Sequence, residues 1–282
     1  MKRTHGGKCQ VGFTLVELLV ALGIFLIITG AAFTLLGSSQ QRYQTDSQVL
    51  TSFQEARLGL DQMVRDINDA GFPPPTFYSS AQPLQSVISP FAWSPGYPGA
   101  ACQIGTGGGG TCTTSTAGDT APGDFDIIIE TNPNIQDLGS QVEWIRYQLV
   151  GTTLMRGVAP KANGADPDAA FTGVTAVVPF VQNVVNNVCP SQLPNCQSAY
   201  PVVFPGGIPV PIFTYTCDHP PQSQFPPPPT APCTSAGLDN SPQNIRDVLI
   251  TLIVAAPLPD ATTGQPRLVQ LSGRGRRVNP NQ

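Results

Sequence analysis

From Phe13 to Leu36 the sequence FTLVELLVALGIFLIITGAAFTLL is apolar for twenty-four residues, with a single charge at Glu17. As a helix rising about 1.5 Å per residue, such a run spans the roughly 30 Å hydrocarbon layer of a bilayer with a little to spare. Beyond it the pattern becomes one-sided. Val49, Phe53, Ala56, Leu60, Met63, Ile67 and Ala70 recur at alternating spacings of four and three, an amphipathic stripe. Arg57 and Asp61, Asp61 and Arg65, and Arg65 and Asp69 lie four apart on the other side and read as a solvated face. Gly71 is placed as a left-handed cap, and Pro73, Pro74 and Pro75 forbid continuation. Joined, the two stretches predict one helix of about 58 residues, nearly 90 Å long.

Past Pro75 the pattern is that of strands between long loops. Asp126 to Thr131 is a short apolar run, Val142 to Val150 and Thr153 to Val158 meet at Gly151-Thr152 as a hairpin, and Asp247 to Ala255 is rich in β-branched residues. Ile145, Tyr147 and Leu149 alternate with Arg146 and Gln148, which gives one apolar face to cover the helical stripe. Val248 to Val254 is apolar on both faces and predicts a central strand. The fold class expected is α+β: a long N-terminal α-helix, transmembrane in its first half, packed on an antiparallel β-sheet with disulfide-stapled loops.

Composition supports the loops and sharpens the membrane reading. Only 11% of residues are charged, while the chain has 28 glycines and 30 prolines. Fourteen basic against eighteen acidic side chains argue against a chain-wide surface for nucleic acid. Lys2, Arg3 and Lys8 precede the apolar run, so the positive-inside rule puts its N-terminal side in the cytoplasm and everything after residue 37 outside. An ordinary cleaved signal, cut near Gly30, Ala31 and Ala32, is opposed by two features. The run exceeds the 7 to 15 apolar residues such signals need, and Glu17 sits inside it. An acid deep in a membrane helix costs on the order of 3 kcal/mol, which marks it as functional.

Gly12-Phe13-Thr14-Leu15-Val16-Glu17-Leu18-Leu19-Val20-Ala21-Leu22 resembles the cleavage and methylation signature of type IV prepilins. The resemblance implies that a prepilin peptidase cuts between Gly12 and Phe13 and N-methylates Phe13, leaving the helix on the mature protein. It implies a division into a leader (1–12), a transmembrane and assembly helix (13–37), an amphipathic continuation (38–72) and a periplasmic β-rich domain (73–282). Glu17 would attract the free N-terminal amine of a neighbouring subunit, so that docking is favoured in the register that pairs the two charges. Gly23, Gly30 and Gly37 recur every seven residues, where a second helix could come close, though glycine is also common in membrane helices. No proline interrupts residues 13 to 72, whereas many major pilins carry one. The stretch ARLGLDQMVRDINDAGF resembles PilW-like minor pilins and, less closely, GspJ-type pseudopilins.

Loss of the leader removes Cys9 and leaves six cysteines: Cys102, Cys112, Cys189, Cys196, Cys217 and Cys233. Six allow fifteen connectivities; short loops close at the lowest entropic cost, which favours the three sequential pairs and an oxidising compartment. The run GTGGGGT lacks the Lys-Ser/Thr of a phosphate loop, and HPPQSQFPPPPTAP reads as a stiff polyproline II loop. With His5 in the leader, His219 is the one histidine of the mature chain, which opposes a histidine-based triad or metal site. Asp119, Asp124 and Asp126 are oxygen donors for calcium in principle, but lack an ordered loop signature and read as turn formers. Arg274, Arg276 and Arg277 read as a basic, soluble tail.

These readings predict a non-enzymatic assembly subunit without a cofactor: a minor pilin that primes or modulates a type IV pilus. Its expected partners are prepilin peptidase, other pilins and the inner-membrane assembly platform. The alternatives are a GspJ-like pseudopilin of type II secretion, or a membrane-tethered periplasmic binding or adhesion protein using its stapled loops.

Overall fold

The structure, a computed structural model, describes residues 12, 14–73, 87–94, 96–99, 102–104, 122–132, 141–161, 166–171, 177–191, 193–218, 231–234, 239–260 and 263–277. The leader to residue 11, Phe13, Pro74, Pro75, Cys112, Asp119, His219 and the glycine-rich and proline-rich runs lie outside these residues.

One helix, α1 (Leu15–Asn68), carries the apolar and amphipathic stretches without a break over 54 residues, which makes it about 80 Å long. It stops where the sequence removes helical continuation. Asp69 is the C-cap, its N–H donating to the Arg65 carbonyl, and Gly71 adopts a φ of 85° that disfavours a side chain. The Gly71 N–H donates to the Glu130 carbonyl at 2.9 Å, so the chain leaves the helix already attached to a strand.

Among the described residues nine strands form two antiparallel sheets against the helix, the α+β layout expected from the sequence. The first has the order β1 (Phe91–Ala92), β2 (Asp126–Thr131), β3 (Glu143–Val150), β4 (Thr153–Pro160), β5 (Val178–Val181). The predicted β3–β4 hairpin turns at Gly151, whose φ is 60°. The second sheet has the order β7 (Ala231–Pro232), β6 (Phe213–Cys217), β8 (Ile245–Pro259), β9 (Pro266–Arg276). As its two apolar faces predict, β8 is internal, between β6 and β9. The segment after β5 links the sheets, with Val184 bridging Val254.

The main core lies where helix and sheets meet. Ala56, Leu60, Met63 and Ile67 are buried with Ile127, Ile129, Ile145 and Tyr147 from the first sheet and Val248, Ile250 and Leu252 from the second. Two glycines of β9 let α1 approach closely. A Cβ on Gly275 would come within 2.5 Å of Ile67 Cγ2, and one on Gly273 within 3.0 Å of Leu60 Cδ1. Overpacking of this kind costs about 1–3 kcal/mol, so Gly275→Val is expected to lower the chemical unfolding midpoint of the full chain in detergent micelles accordingly. An unchanged midpoint would mean that the helix shifts aside freely.

Strand β9 corrects a sequence expectation. Arg274 and Arg276 are not in a soluble tail: both lie in a paired strand, where Arg274 Nη2 is 2.6 Å and Arg276 Nε 3.8 Å from the Asp247 carboxylate. Arg277 is buried, donates to the Gln243 carbonyl, and is pushed down to about 10 by burial.

The C-terminal turn of α1 is electrostatically crowded. Burial first, and then the Asp66 carboxylate, raise the Asp69 pKa, and the negative end of the helix dipole also disfavours an anion there. A raised carboxylate pKa means that the folded state takes up the proton more readily, so this residue opposes folding at neutral pH and ceases to do so once pH falls below its unfolded value. Asp69→Asn should therefore raise the thermal midpoint at pH 7 and leave it nearly unchanged at pH 3. A lower midpoint at pH 7 would contradict this reading.

Candidate functional site

Thr14 and Glu17 organise the start of α1. Thr14 is the N-cap, with extended backbone (φ −79°, ψ 148°), and its Oγ1 accepts a hydrogen bond from the Glu17 N–H at 3.3 Å. Thr-x-x-Glu is the spacing of a capping box, and an acid in the first turn faces the positive end of the helix dipole. The sequence reading missed this local role for Glu17, although the spacing was there to be read. Gly12, just ahead of the cap, is exposed.

The rest of the apolar half offers its side chains outward. Val16, Leu19, Phe25, Ile28 and Leu35 are each more than half exposed, and none of the helix's apolar window is buried in its own chain. Added Cβ atoms on Gly23, Gly30 and Gly37 would meet nothing within 4 Å. Thr29, Thr34 and Ser38 turn their hydroxyls back to carbonyls of the preceding turn, which hides polar groups from a lipid or helix neighbour.

A family model described as the prokaryotic N-terminal methylation motif matches residues 8–33. The match supports a type IV pilin-like reading of this N-terminal segment. The motif implies processing by a prepilin peptidase and, with the apolar helix, fits a membrane-anchored pilin. No curated protein and no solved structure matches the chain.

Several charged residues of the distal domain are paired inside it. Asp126 was a candidate cation ligand and turn former; it is a buried strand residue instead, with Oδ2 2.5 Å from Arg146 Nη2 and Oδ1 3.0 Å from Arg146 Nε. Arg146 also pairs with Asp168 and lies over the Phe171 ring. Asp124 is exposed at the strand's entrance, with its pKa raised by partial burial. Among the described residues no group of three His, Cys, Asp or Glu side chains is placed to hold a metal ion.

A second buried cluster, also on the reverse face of the first sheet, is centred on Glu130. Its Oε1 accepts from Lys161 Nζ at 2.5 Å and the Ile88 N–H at 2.9 Å; its Oε2 accepts from Trp144 Nε1 at 3.1 Å and from the Tyr97 hydroxyl. Burial, and then the neighbouring carboxylate, push the Tyr97 pKa well up, so the phenol remains a donor. A third cluster fastens the helix to the hairpin. Asp66 is buried and accepts from the Tyr147 hydroxyl at 2.6 Å and Arg156 Nη2 at 3.0 Å.

Two disulfides close loops over this scaffold, Cys189–Cys196 and Cys217–Cys233, with Cα atoms 5.5 and 5.0 Å apart. Cys102 is also disulfide-bonded.

Proposed function

We propose that the protein is a minor pilin of a type IV pilus, a structural subunit without catalytic activity that primes or modulates assembly through α1. A prepilin peptidase cuts after Gly12 and methylates Phe13. The 13–37 segment holds the mature chain in a bacterial inner membrane, with the β-rich domain in the periplasm, until other pilins and the assembly platform draw it into a filament. Two disulfides agree with an oxidising compartment.

The observation that carries the reading is the match of residues 8–33 to the methylation motif, on a helix whose apolar half its own fold leaves entirely exposed. An apolar surface of that length needs lipid or other helices around it. The test combines two measurements. Mass spectrometry of the mature chain should give an N-terminus beginning at methylated Phe13, and the chain should appear in sheared pilus fractions. Recovery of a soluble ectodomain lacking residues 13–37 would refute the reading, whereas a methylated chain confined to a secretion apparatus would point to a GspJ-like pseudopilin.

A further inference from the structure

We infer that the free edge of β9 is a strand-addition site for an extended segment of a different protein chain, one in which acidic and apolar residues alternate. This goes beyond the use of α1 and does not depend on it.

The open edge follows from hydrogen-bond parity. The Arg277 N–H donates to the Arg246 carbonyl, and β8 and β9 pair in the register Asp247↔Arg276 through Ala255↔Leu268. In an antiparallel ladder alternate residues face the partner strand. The odd-numbered residues of β9 thus bond to β8, and the even-numbered ones turn their N–H and C=O groups outward. Both ends of the outward row are capped. The Arg276 N–H donates to Asn68 Oδ1 of α1 at 2.8 Å, and the Pro266 carbonyl accepts from the Tyr200 hydroxyl. Between the caps Leu268, Gln270, Ser272 and Arg274 face outward, and among the described residues no strand pairs with that side of β9. The window of seven residues, 268–274, is about 20 Å long, the length of an ordinary strand. It contains no proline or bulge of the kind that blunts an exposed edge, and its one charged residue is Arg274.

The surroundings of the window define the occupant. Helix α1 touches β9 at both ends, through Asp46 to Arg267 and Asn68 to Arg276. Leu50 lies four residues after Asp46 on the same flank and is 61% exposed. One face of an added strand therefore meets Leu50 on a helix flank that also carries Arg57 and Asp61, charges of opposite sign. The other face meets Arg274 and Arg276, whose side chains are about 60% exposed and share the single Asp247 carboxylate, leaving one uncompensated positive charge. Alternating apolar and acidic side chains satisfy both faces at the period of a strand. A second copy of this edge does not fit, because 268–274 contains no acid.

The test uses the full chain in detergent micelles and two fluorescein-labelled eight-residue peptides, one alternating Glu and Val, the other alternating Lys and Val. Fluorescence anisotropy should show binding of the Glu peptide at least tenfold tighter than of the Lys peptide. Ser272→Pro removes an outward N–H that the fold does not use and should weaken the Glu peptide at least tenfold. Ser272→Glu keeps the backbone intact and should reverse the preference toward the Lys peptide, a result that misfolding does not produce. A benzoylphenylalanine cross-linker at Gln270 should then label the bound peptide, with one at Val202, 93% exposed elsewhere, as the control. Equal affinities for both peptides, no effect of either Ser272 variant, or cross-linking of the chain to itself through β9 would each overturn the inference.

Discussion

Glu130→Gln should destabilise the full chain by about 3–5 kcal/mol, the range for breaking a buried ion pair by removing one partner. The substitution is nearly isosteric, so no cavity accounts for the loss. Four donors converge on the Glu130 carboxylate: Lys161 Nζ and the Ile88 N–H on one oxygen, Trp144 Nε1 and the Tyr97 hydroxyl on the other. A carboxylate accepts at both oxygens, whereas an amide has one acceptor oxygen and places two N–H donors against donors on its other side. Lys161, whose side chain is 4% exposed, would keep its charge and lose its 2.5 Å contact with the Glu130 carboxylate. The expected readout is a guanidinium unfolding midpoint lowered in proportion, or loss of folded protein from the membrane fraction. Glu130→Gln with Lys161→Met should regain a substantial part of the loss, because an apolar side chain tolerates burial better than an ammonium that has lost its Glu130 carboxylate. A single variant within about 1 kcal/mol of the parent would show that water reaches Lys161 and screens it.

The reason this cluster escaped the sequence, while α1 did not, is one of range. The helix is written in local periodicities: an unbroken apolar run, a four-three stripe, then glycine and proline. The β3–β4 hairpin is likewise local, since alternation on both sides of Gly151-Thr152 fixes the pairing. Glu130 and Lys161 are 31 positions apart, and they meet because β2 pairs with β3 and β3 with β4 in one register, Glu130↔Trp144↔Ala159, with Lys161 just beyond. Nothing near Lys161 in sequence announces that partner. The role of Asp66 is hidden for the same reason, since Tyr147 and Arg156 reach it from 81 and 90 residues away. Strand β9 was hidden differently. Its glycines have weak strand propensity, and the features that matter there, close helix approach at Gly275 and pairing to β8, are tertiary. At the N-terminus, the processing motif is a short, contiguous recognition sequence and was legible without the fold.

Glu17→Ala should separate two properties that a merely structural acid would keep together. Alone in the bilayer, a helix without the acid is the better membrane segment, since a central carboxylate costs on the order of 3 kcal/mol by insertion scales and less near the interface. The variant should thus be processed and inserted at least as well as the parent. Assembly should move the other way. If Glu17 pairs with the amine that cleavage creates on a neighbour's Phe13, its removal takes away the interaction that selects one axial register, and the share of the chain in sheared filaments should fall at least tenfold. The observed capping geometry supplies the control. Thr14 Oγ1 accepts from the Glu17 N–H, so a purely local role for this turn makes Thr14→Ala the equivalent change, with a loss of about 1 kcal/mol of helix stability. Under the assembly reading Thr14→Ala leaves filament entry nearly intact while Glu17→Ala lowers it at least tenfold. Equal defects in the two variants, or normal filament entry by Glu17→Ala, would assign Glu17 to the cap rather than to a neighbouring subunit.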